Sequence, residues 1–298
     1  MNQEKLDISI DNFCVFILTH ENPDDVKTWK ALDYCNYTGK RYLVVDDKDT
    51  SISEYQETFG ADKVLVFSKE EIAKTFDEMD IEGTRNTVVY ARNACFQLAK
   101  QVGVRWFIEL DDDYKEFQFR YEENDGLRLC YPAELDKIFL AAIEFLETSD
   151  KIATVALAQN GDFIGGLDSG NWAKFLKDGL LRKAMNTFIC DVEKPFTFIG
   201  RINEDVNTYA LEGSRGKLFF TFMQAAINQV DTQQKKPGAG MSAAYDELGT
   251  YQKSFYTVVC CPSFVKVAIM GDKYFRIHHN VDWNHGVPKI LSDKYKRR

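Results

Sequence analysis

The sequence predicts an α/β protein built on an open, mostly parallel sheet. Over the first 113 residues, short apolar runs typical of buried strands alternate with segments of helical periodicity. Polar residues follow several of these runs directly, as they do where strands end at the edge of a sheet. Short connections between alternating strands and helices favour parallel strands joined by right-handed crossovers. With 45% hydrophobic residues, 18 Gly and 6 Pro, the composition excludes a disordered or low-complexity chain.

The first half of the chain supplies most of the predicted parallel strands. Phe13 to Leu18 is a continuous apolar run, which indicates a strand buried on both faces. Asp24 or Asp25 could cap a following helix, which we expect to end near Gly39. Three more strands are predicted over residues 42–45, 64–67 and 106–110, and two helices over residues 70–79 and 87–102.

The pattern loosens after residue 113 and predicts a second half of mixed α and β structure. Residues 228–245 are polar and rich in turn-forming residues, which indicates a mobile loop. Strands are predicted over residues 117–121, 152–158 and 274–279, a helix over 134–146, a hairpin over 185–199 and a helix-like segment over 206–211.

Charge, leader and cysteine patterns bound the compartment and the partners. The net charge of −9 excludes a protein that holds polyanions by bulk attraction, so any contact with nucleic acid would be local. We expect no signal peptide and no spanning helix, because no apolar run approaches the ~18 residues that one needs. The seven cysteines form no CxxC pair, and most lie in apolar runs. These features predict a cytoplasmic protein with reduced thiols and no membrane partner.

Asp111, Asp112 and Asp113 directly follow a predicted buried strand and carry the strongest functional signal. In open parallel sheets, ligands bind beyond the carboxyl ends of the strands. Three successive carboxylates repel one another unless a cation neutralises them. Mg²⁺ and Mn²⁺ prefer carboxylate oxygens and commonly bridge to substrate phosphates. The pattern therefore favours a divalent-metal site, and a solvated acidic turn is the alternative.

Arg92 and Asn93 interrupt a predicted helix that otherwise faces the core. Arg92 either pairs with a carboxylate for structural reasons or faces a bound nucleotide, and Asn93 would fix neighbouring loops. Asp46 follows another predicted strand, where a carboxylate can accept a hydrogen bond from the imide N–H of uracil. An exposed acidic turn is the alternative for Asp46.

Glu204 and Asp205 begin the helix-like segment in the second half of the chain. Acidic residues in a first helical turn are stabilised by the helix dipole, which is the structural interpretation of this pair. The functional interpretation is that one of the two is a general base, placed to deprotonate an acceptor hydroxyl. The sequence alone leaves both interpretations open.

His278 and His279 are two of only four histidines in the chain. Because they are adjacent in a strand-like stretch, we expect them to point to opposite faces, so that one of them could reach the metal. Other catalytic templates are missing from the sequence. It contains no P-loop, no GxSxG elbow and no HExxH helix, and the Cys and His spacings match no zinc site.

Longer stretches of the chain resemble the bacteriophage TET-associated glycosyltransferases, which have the GT-A fold. The resemblance covers roughly residues 13 to 295 and implies a single GT-A domain over residues 1–298. Residues 1–113 would form its nucleotide-sugar-binding half and residues 114–298 its acceptor-binding half. The similar stretches, in order, are TVVYARNACFQLAK, FIELDDDY, AQNGDFIGG, FIGRINEDVNTY, GSRGKLFFT, GTYQKSFYTVV and RIHH followed by VPKIL.

The resemblance implies an activity and a cellular setting. Members of the family are thought to glycosylate 5-hydroxymethylpyrimidine in phage DNA after a TET-like oxygenase has installed the hydroxyl. The donor would be UDP-glucose or UDP-N-acetylglucosamine, the acceptor 5-hydroxymethylcytosine in DNA, and the cofactor Mn²⁺ or Mg²⁺. The setting would be the cytoplasm of a phage-infected bacterium.

The resemblance also assigns roles to individual residues. Asp205, with Glu204 as the alternative, would be the base of an inverting transfer. The loop Glu21-Asn22-Pro23 departs from the Gly-Arg-Pro-like loop expected there. The donor would be bound by Thr19, His20, Asp46, Arg92, Asn93, Asp111 and Asp112, and the metal by Asp111, Asp113 and one of His278 and His279.

Two arginines in the second half are candidates for contact with the acceptor. Arg201 and Arg215 would offset the negative net charge where DNA approaches. Two other functions remain open at this point. One is a GT-A glycosyltransferase that acts on a protein or polysaccharide, and the other is a nucleotide-binding structural phage protein without enzymatic activity.

Overall fold

The computed structural model describes residues 7–79, 85–124, 126–160, 184–229, 252–270 and 276–286. The strands are β1 (Phe13–Leu18), β2 (Lys40–Asp46), β3 (Val64–Phe67), β4 (Trp106–Asp111), β5 (Tyr114–Glu123), β6 (Gly126–Cys130), β7 (Ile152–Gln159), β8 (Phe188–Asp191), β9 (Leu218–Gln229), β10 (Val265–Met270) and β11 (Arg276–Val281). The helices are α1 (Lys27–Tyr34), α2 (Ile52–Phe59), α3 (Lys69–Ala73), α4 (Val89–Gln101), α5 (Leu135–Leu146), α6 (Glu204–Ser214), α7 (residues 252–260) and α8 (Trp283–Gly286).

One large sheet carries the strand order β3-β2-β1-β4-β8-β7-β9-β5-β6. Strands β3, β2, β1 and β4 are parallel, whereas β8 is antiparallel to both β4 and β7. Strand β9 is parallel to β7, and β5 is antiparallel to β9 and β6. The predicted α/β class with an open sheet is confirmed. Because β1, β2, β4, β7 and β9 run in the same direction, their carboxyl ends meet at one edge.

Helices cover both faces of this sheet. Alternate residues of β1 belong to different cores: Phe13 packs with Leu32 and Phe139 of α1 and α5, whereas Cys14 packs with Cys95 of α4. All six residues of β1 are buried. This double burial explains why the strand is a continuous apolar run and not an alternating one.

Strands β10 and β11 form a separate antiparallel pair. It packs against α6, where Val206 and Tyr209 contact Phe264 and Val265 in a third apolar cluster. Helix α7 is joined to β11 by a hydrogen bond from Ser254 Oγ to the carbonyl of Ile277 (2.9 Å). Among the helices in the described ranges, none is long and apolar enough to cross a membrane.

The hairpin predicted over residues 185–199 is wrong. In the described part of that segment only β8 is a strand, and it pairs with β4 and β7 instead of with a hairpin partner. Phe196 and Phe198 then pack into the core beneath α4. Tertiary burial of these two rings competes with strand formation and explains the difference.

Two predicted helix boundaries are also wrong. Neither Asp24 nor Asp25 caps α1, which begins after Val26 without a side-chain cap and ends at Tyr34. The helix predicted over residues 70–79 ends at Ala73. Beyond it, the carbonyls of residues 77 and 78 accept hydrogen bonds from the amides of residues 200 and 201 (2.9 and 3.1 Å). These tertiary bonds take the place of the helical ones.

Several elements were not predicted from the sequence, namely α2, β6, β9, α7, β10 and α8. The predicted loop begins at residue 228, but residues 228 and 229 complete β9 and the remainder lies outside the described residues. The strand predicted from residue 274 is β11, of which residues 276–281 are described. The other predicted strands and helices are confirmed within a few residues of their expected ends.

Candidate active site

The carboxyl ends of β1 and β4 are joined by a hydrogen-bond network. Thr19 Oγ1 donates to Asp112 Oδ2 (2.9 Å) and lies 2.9 Å from the hydroxyl of Tyr55. Asn22 Nδ2 donates to the same Asp112 oxygen (3.0 Å), and the Asn22 amide donates to the Tyr55 hydroxyl (2.8 Å). Asp112 and Tyr55 therefore hold the loop after β1 against the acidic turn. Asn22 is the residue of the Glu21-Asn22-Pro23 loop that forms these hydrogen bonds.

Asp46, at the end of β2, is buried among positive groups. Its Oδ2 lies 3.0 Å from both Lys69 Nζ and His20 Nδ1, and its Oδ1 accepts from the Lys48 amide (3.0 Å). Burial opposes ionisation of Asp46, but these contacts outweigh it and lower its pKa to about 2. Contact with Asp46 in turn raises the pKa of His20, which also lies 3.4 Å from Asp49. Asp46 is therefore ionised at neutral pH.

We expect Asp46→Asn to lower stability and to flatten the acid limb of the stability profile. The pKa of Asp46 is about 2 in the folded protein against an ordinary 3.8, so its ionised form stabilises the fold above pH 4. That contribution, about 2 kcal/mol, is lost as the pH falls from 4 to 2. Urea unfolding at pH 7, 4 and 2 measures it. Asp62→Asn, at an exposed acid beside Lys63, is the matched control. Equal pH slopes for Asp46→Asn and the unaltered protein would contradict the assignment.

The acidic turn after β4 is anchored to the start of α1. Thr28 is fully buried, and its amide and hydroxyl donate to the carbonyls of Asp112 (3.1 Å) and Asp111 (2.5 Å). The Thr28 hydroxyl also accepts from the amide of Tyr114 (3.0 Å). The turn is thereby fixed with the Asp111 side chain 29% exposed and Asp113 buried.

Arg92 lies at the centre of a buried carboxylate cluster. Its Nη2 is 3.2 Å from Asp111 Oδ1, its Nη1 3.4 Å from Glu109 Oε2, and its Nε 3.4 Å from Glu204 Oε1. Arg92 is only 2% exposed and all three of its guanidinium nitrogens contact carboxylates, which favours a structural role over its assignment as a direct donor ligand. The structural alternative holds: Arg92 joins the acidic turn of β4 to the acidic pair that begins α6.

One guanidinium does not compensate the three carboxyl groups of this cluster, of which Glu109 and Glu204 are buried. Burial raises the pKa of Glu109 to about 8 although Arg92 opposes the shift. Burial, and next the charge of neighbouring Asp205, raise the pKa of Glu204 as well. The ring of Phe188 lies 4.9 Å from the Arg92 guanidinium carbon and helps to exclude water. Burial therefore favours the protonated form of Glu109.

Asn93 has the loop-fixing role that the sequence analysis gave it. Its Nδ2 donates to the carbonyl of Phe198 (2.9 Å), and its Oδ1 accepts from the amide of Phe198 (2.9 Å). Asn93 is 9% exposed. Since both ends of this amide are used within the protein, its assignment to the donor-binding set is corrected.

The acidic pair at the start of α6 is divided by burial. Asn203 precedes the helix in the left-handed region (φ 56°) and is held by a bond from its Nδ2 to the carbonyl of Lys253 (2.7 Å). Glu204 is 6% exposed and contacts Arg92, whereas Asp205 is partly exposed. Of the two, Asp205 is the carboxylate that a substrate can approach.

His278 and His279 do not point to opposite faces. Their ring centroids lie 4.2 Å apart with planes inclined by 32°, so the two rings contact each other and the prediction is wrong. His279 is buried and 5% exposed. Within the described ranges, no three His, Cys, Asp or Glu side chains are grouped to hold a metal ion by themselves.

The two arginines expected to contact DNA are placed differently. Arg201 is 1% exposed, so its assignment as a surface contact is corrected. Arg215 is exposed, but it follows the last turn of α6 and pairs with Glu212 (3.1 Å). With 1.5 Å of rise per residue, Arg215 lies about 15 Å along the helix from Asp205.

Comparison with known proteins identifies the family. The family model described as TET-associated glycosyltransferase matches residues 13–238. The chain belongs to this family. The family, the α/β class with an open sheet and the enzyme class expected from the sequence are confirmed: the protein is a glycosyltransferase. Among curated proteins, none matches it.

Solved structures with a similar fold share little sequence with this glycosyltransferase. One is glucosyl-3-phosphoglycerate synthase from Mycobacterium tuberculosis in complex with Mn²⁺, UDP and glucosyl-3-phosphoglycerate. It is 14% identical with a TM-score of 0.42, over 91% of this chain and 88% of that one. Another is a mannosyltransferase from Pyrobaculum calidifontis in complex with GDP-Man and Mn²⁺. It is 12% identical with a TM-score of 0.43, over 78% of this chain and 62% of that one.

Four residues that shape the site of this glycosyltransferase were not predicted from the sequence. They are Thr28, Tyr55, Lys69 and Glu109. Only Glu109 left a clear signal, because a carboxylate inside the apolar strand WFIELD needs a buried partner. Tyr55 and Lys69 lie in helices that contact the site only through the tertiary fold.

Proposed function

We propose that the protein transfers a sugar from a UDP-sugar to 5-hydroxymethylcytosine in DNA, after a TET-like oxygenase has installed the hydroxyl. One observation carries the proposal: buried Arg92 ties the acidic turn at Asp111 to the acidic pair at Glu204. This link supports placing Asp111, as a proposed donor-binding carboxylate, and the candidate base Asp205 in one site. Family membership supports sugar transfer, and the family's association with TET-like oxygenases supports the DNA acceptor.

The uridine is proposed to bind at the carboxyl ends of β1 and β2. Asp46 is ionised there, and a carboxylate offers about four lone-pair positions. Its Oδ1 accepts one described bond, from the Lys48 amide, so it has capacity for the imide N–H of uracil. Thr19 and His20, which follow β1, would complete this part of the donor site.

The donor set at the acidic turn fits a hard divalent cation. Mg²⁺ is commonly held by one or two carboxylates together with substrate phosphates, and Mn²⁺ accepts the same oxygens. Asp111 and Asp113 are proposed to supply these carboxylates, with one of His278 and His279 as a candidate further ligand. When bound, the cation would stabilise the negative charge that develops on the departing diphosphate.

Asp205 is proposed to be the general base of an inverting transfer. Its carboxylate takes the proton of the acceptor CH₂–OH while that oxygen forms a bond to the anomeric carbon. The bond from the anomeric carbon to UDP breaks, and UDP leaves with the electron pair. For a base inside a duplex, the hydroxyl would be presented by extrusion of the nucleotide or by distortion of the groove.

The direct test is transfer to defined DNA. The protein is incubated with Mn²⁺, UDP-glucose or UDP-N-acetylglucosamine, and duplexes that contain 5-hydroxymethylcytosine or cytosine. Digestion to nucleosides and mass measurement should show one added sugar on 5-hydroxymethylcytosine alone. A parallel reaction with bulk protein tests the other class of acceptor. Sugar on protein and none on DNA would contradict the proposal.

We expect Asp205→Asn to reduce kcat by about 10²- to 10⁴-fold, the range typical of a lost general base. Asparagine keeps the size of the side chain but does not take up the proton. The KM for the UDP-sugar should stay unchanged, because Asp205 acts on the acceptor. Steady-state kinetics with varied donor measures both constants, and full activity of the variant would remove Asp205 from this role.

A further inference from the structure

Strand β5 leaves the acidic turn with a bulge that redirects its side chains. Tyr114 pairs with Gln229 and Glu116 with Asn228, so one extra residue, Lys115, lies between them on β5. Bulges are common beside active sites, where they re-aim side chains. Tyr114 and Phe117 both pack in the core on the α1 and α5 face. Glu116 therefore points to the other face.

That other face is the one that carries α4 and the Arg92 cluster. Gln118 of β5 is paired with Ala226 of β9, which packs against Ala158 of β7. Ala156, two residues earlier in β7, belongs to the core beneath α4. Since side chains alternate along a strand, Glu116 and Gln118 lie on the same sheet face as α4.

Five polar side chains form a connected amide patch on this face: Glu116, Gln118, Arg120, Asn160 and Asn228. Gln118 Nε2 and Asn228 Nδ2 both donate to Glu116 Oε2 (3.0 and 3.2 Å). Arg120 Nη2 donates to Gln118 Oε1 (2.9 Å) and to Asn160 Oδ1 (2.7 Å). The carboxylate and the guanidinium thereby determine which way each amide is turned.

The amide patch presents acceptor oxygens that its internal bonds do not use. Both amide donors meet the same Glu116 oxygen, and among the described residues no donor is bonded to Glu116 Oε1. Asn228 turns its amide nitrogen toward Glu116, so its Oδ1 also remains an acceptor. A ligand group with N–H donors can form hydrogen bonds to Glu116 Oε1 and Asn228 Oδ1. A carbonyl oxygen in the same place would face two acceptors and form neither bond.

We infer that the amide patch receives the acceptor base and that Glu116 accepts a hydrogen bond from its exocyclic amine. This rests on the proposed function. A carboxylate that accepts from cytosine N4 is an established pairing. Glu116 is three residues from Asp113, so their Cα atoms are at most about 11 Å apart. The 4-amine and the 5-hydroxymethyl group are neighbours on the ring, and a base bound through its amine would present its hydroxyl toward the acidic turn.

The enzyme should therefore select 5-hydroxymethylcytosine over 5-hydroxymethyluracil, which carries a carbonyl at position 4. The test compares kcat/KM on two duplexes that differ only in this base, for the unaltered enzyme and for Glu116→Gln. We expect the kcat/KM of the variant on 5-hydroxymethylcytosine to fall by about 10- to 100-fold. The ratio of kcat/KM between the two bases should become smaller. Glu122→Gln removes the same charge from an exposed position on the same strand and face, and is the control.

The ratio of the two rates does not depend on the folded fraction of a preparation, so partial misfolding cannot imitate the effect. An unchanged ratio in Glu116→Gln, with transfer intact, overturns this inference alone. A raised KM for the UDP-sugar with an equal loss on both bases places Glu116 at the donor sugar and also overturns it. Transfer by the unaltered enzyme to neither duplex removes the proposed function, and this inference with it.

Discussion

Replacing Asp113 by Ala is expected to abolish sugar transfer while the protein stays folded. Asp113 lies in the turn that Thr28 anchors through the neighbouring backbone, so that anchoring survives the loss of the carboxylate. The substitution would remove one of two carboxylates proposed to hold the cation with the diphosphate. Without it, the charge that develops on the leaving group is left without stabilisation.

Two measurements and one control variant separate this loss of function from a loss of fold. Thermal unfolding should show a single transition close to that of the unaltered protein. Mn²⁺ binding in the presence of UDP, followed by electron paramagnetic resonance, should be lost together with transfer. Asp150→Ala, an exposed acid that precedes β7 at the opposite edge of the sheet, should retain both. An active Asp113→Ala enzyme would show that the metal is held elsewhere.

Arg92→Met is expected to cost both stability and activity. The substitution leaves Glu109, Asp111 and Glu204 together without their guanidinium. Removing one partner of a buried ion pair typically costs about 3–5 kcal/mol, because a charge is left uncompensated. Transfer should fall as well, since the acidic turn and α6 lose the group that joins them. Urea unfolding and steady-state kinetics measure the two effects.

Two other variants show whether geometry or charge is responsible. Arg92→Lys keeps the positive charge but lacks the planar fork that reaches three carboxylates, so we expect an intermediate loss of both properties. Arg128→Met removes an exposed arginine that pairs with the equally exposed Glu123, and should change the free energy of unfolding by less than about 1 kcal/mol. If Arg92→Met had the same free energy of unfolding as Arg128→Met, the Arg92 cluster would not contribute to stability.

Local patterns of apolar and polar residues were sufficient to predict the elements whose residue types are set by burial alone. The apolar runs of β1 and β4 mark strands buried on both faces, and the runs end where the chain reaches the sheet edge. Polar residues such as Thr19, Asp46 and Asp111 follow because the strand end is where solvent and ligand begin. Parallel strands bring these ends to one edge, so their meeting there was predictable.

Other features depend on contacts between distant segments. The hairpin expected over residues 185–199 is replaced by β8, because Phe196 and Phe198 find burial beneath α4. The assignment of Arg201 as a contact to the acceptor was wrong because the charges counted in a sequence do not show which side chains are exposed, and Arg201 is 1% exposed. The amide patch depends on a bulge, which alternation of side chains along a strand does not reveal.

The sequence by itself determined which strands end in polar residues, the acidic turn after β4 and the acidic pair, Glu204 and Asp205, that precedes a helical segment. Only the tertiary structure decided the direction of Arg92. Helical periodicity predicts on which side of α4 the Arg92 side chain lies. The partners of Arg92 come from other elements, namely Glu109 and Asp111 from β4 and Glu204 from α6. Excluding water from this cluster raises the pKa of Glu109 and of Glu204, and that exclusion is a property of the packed fold.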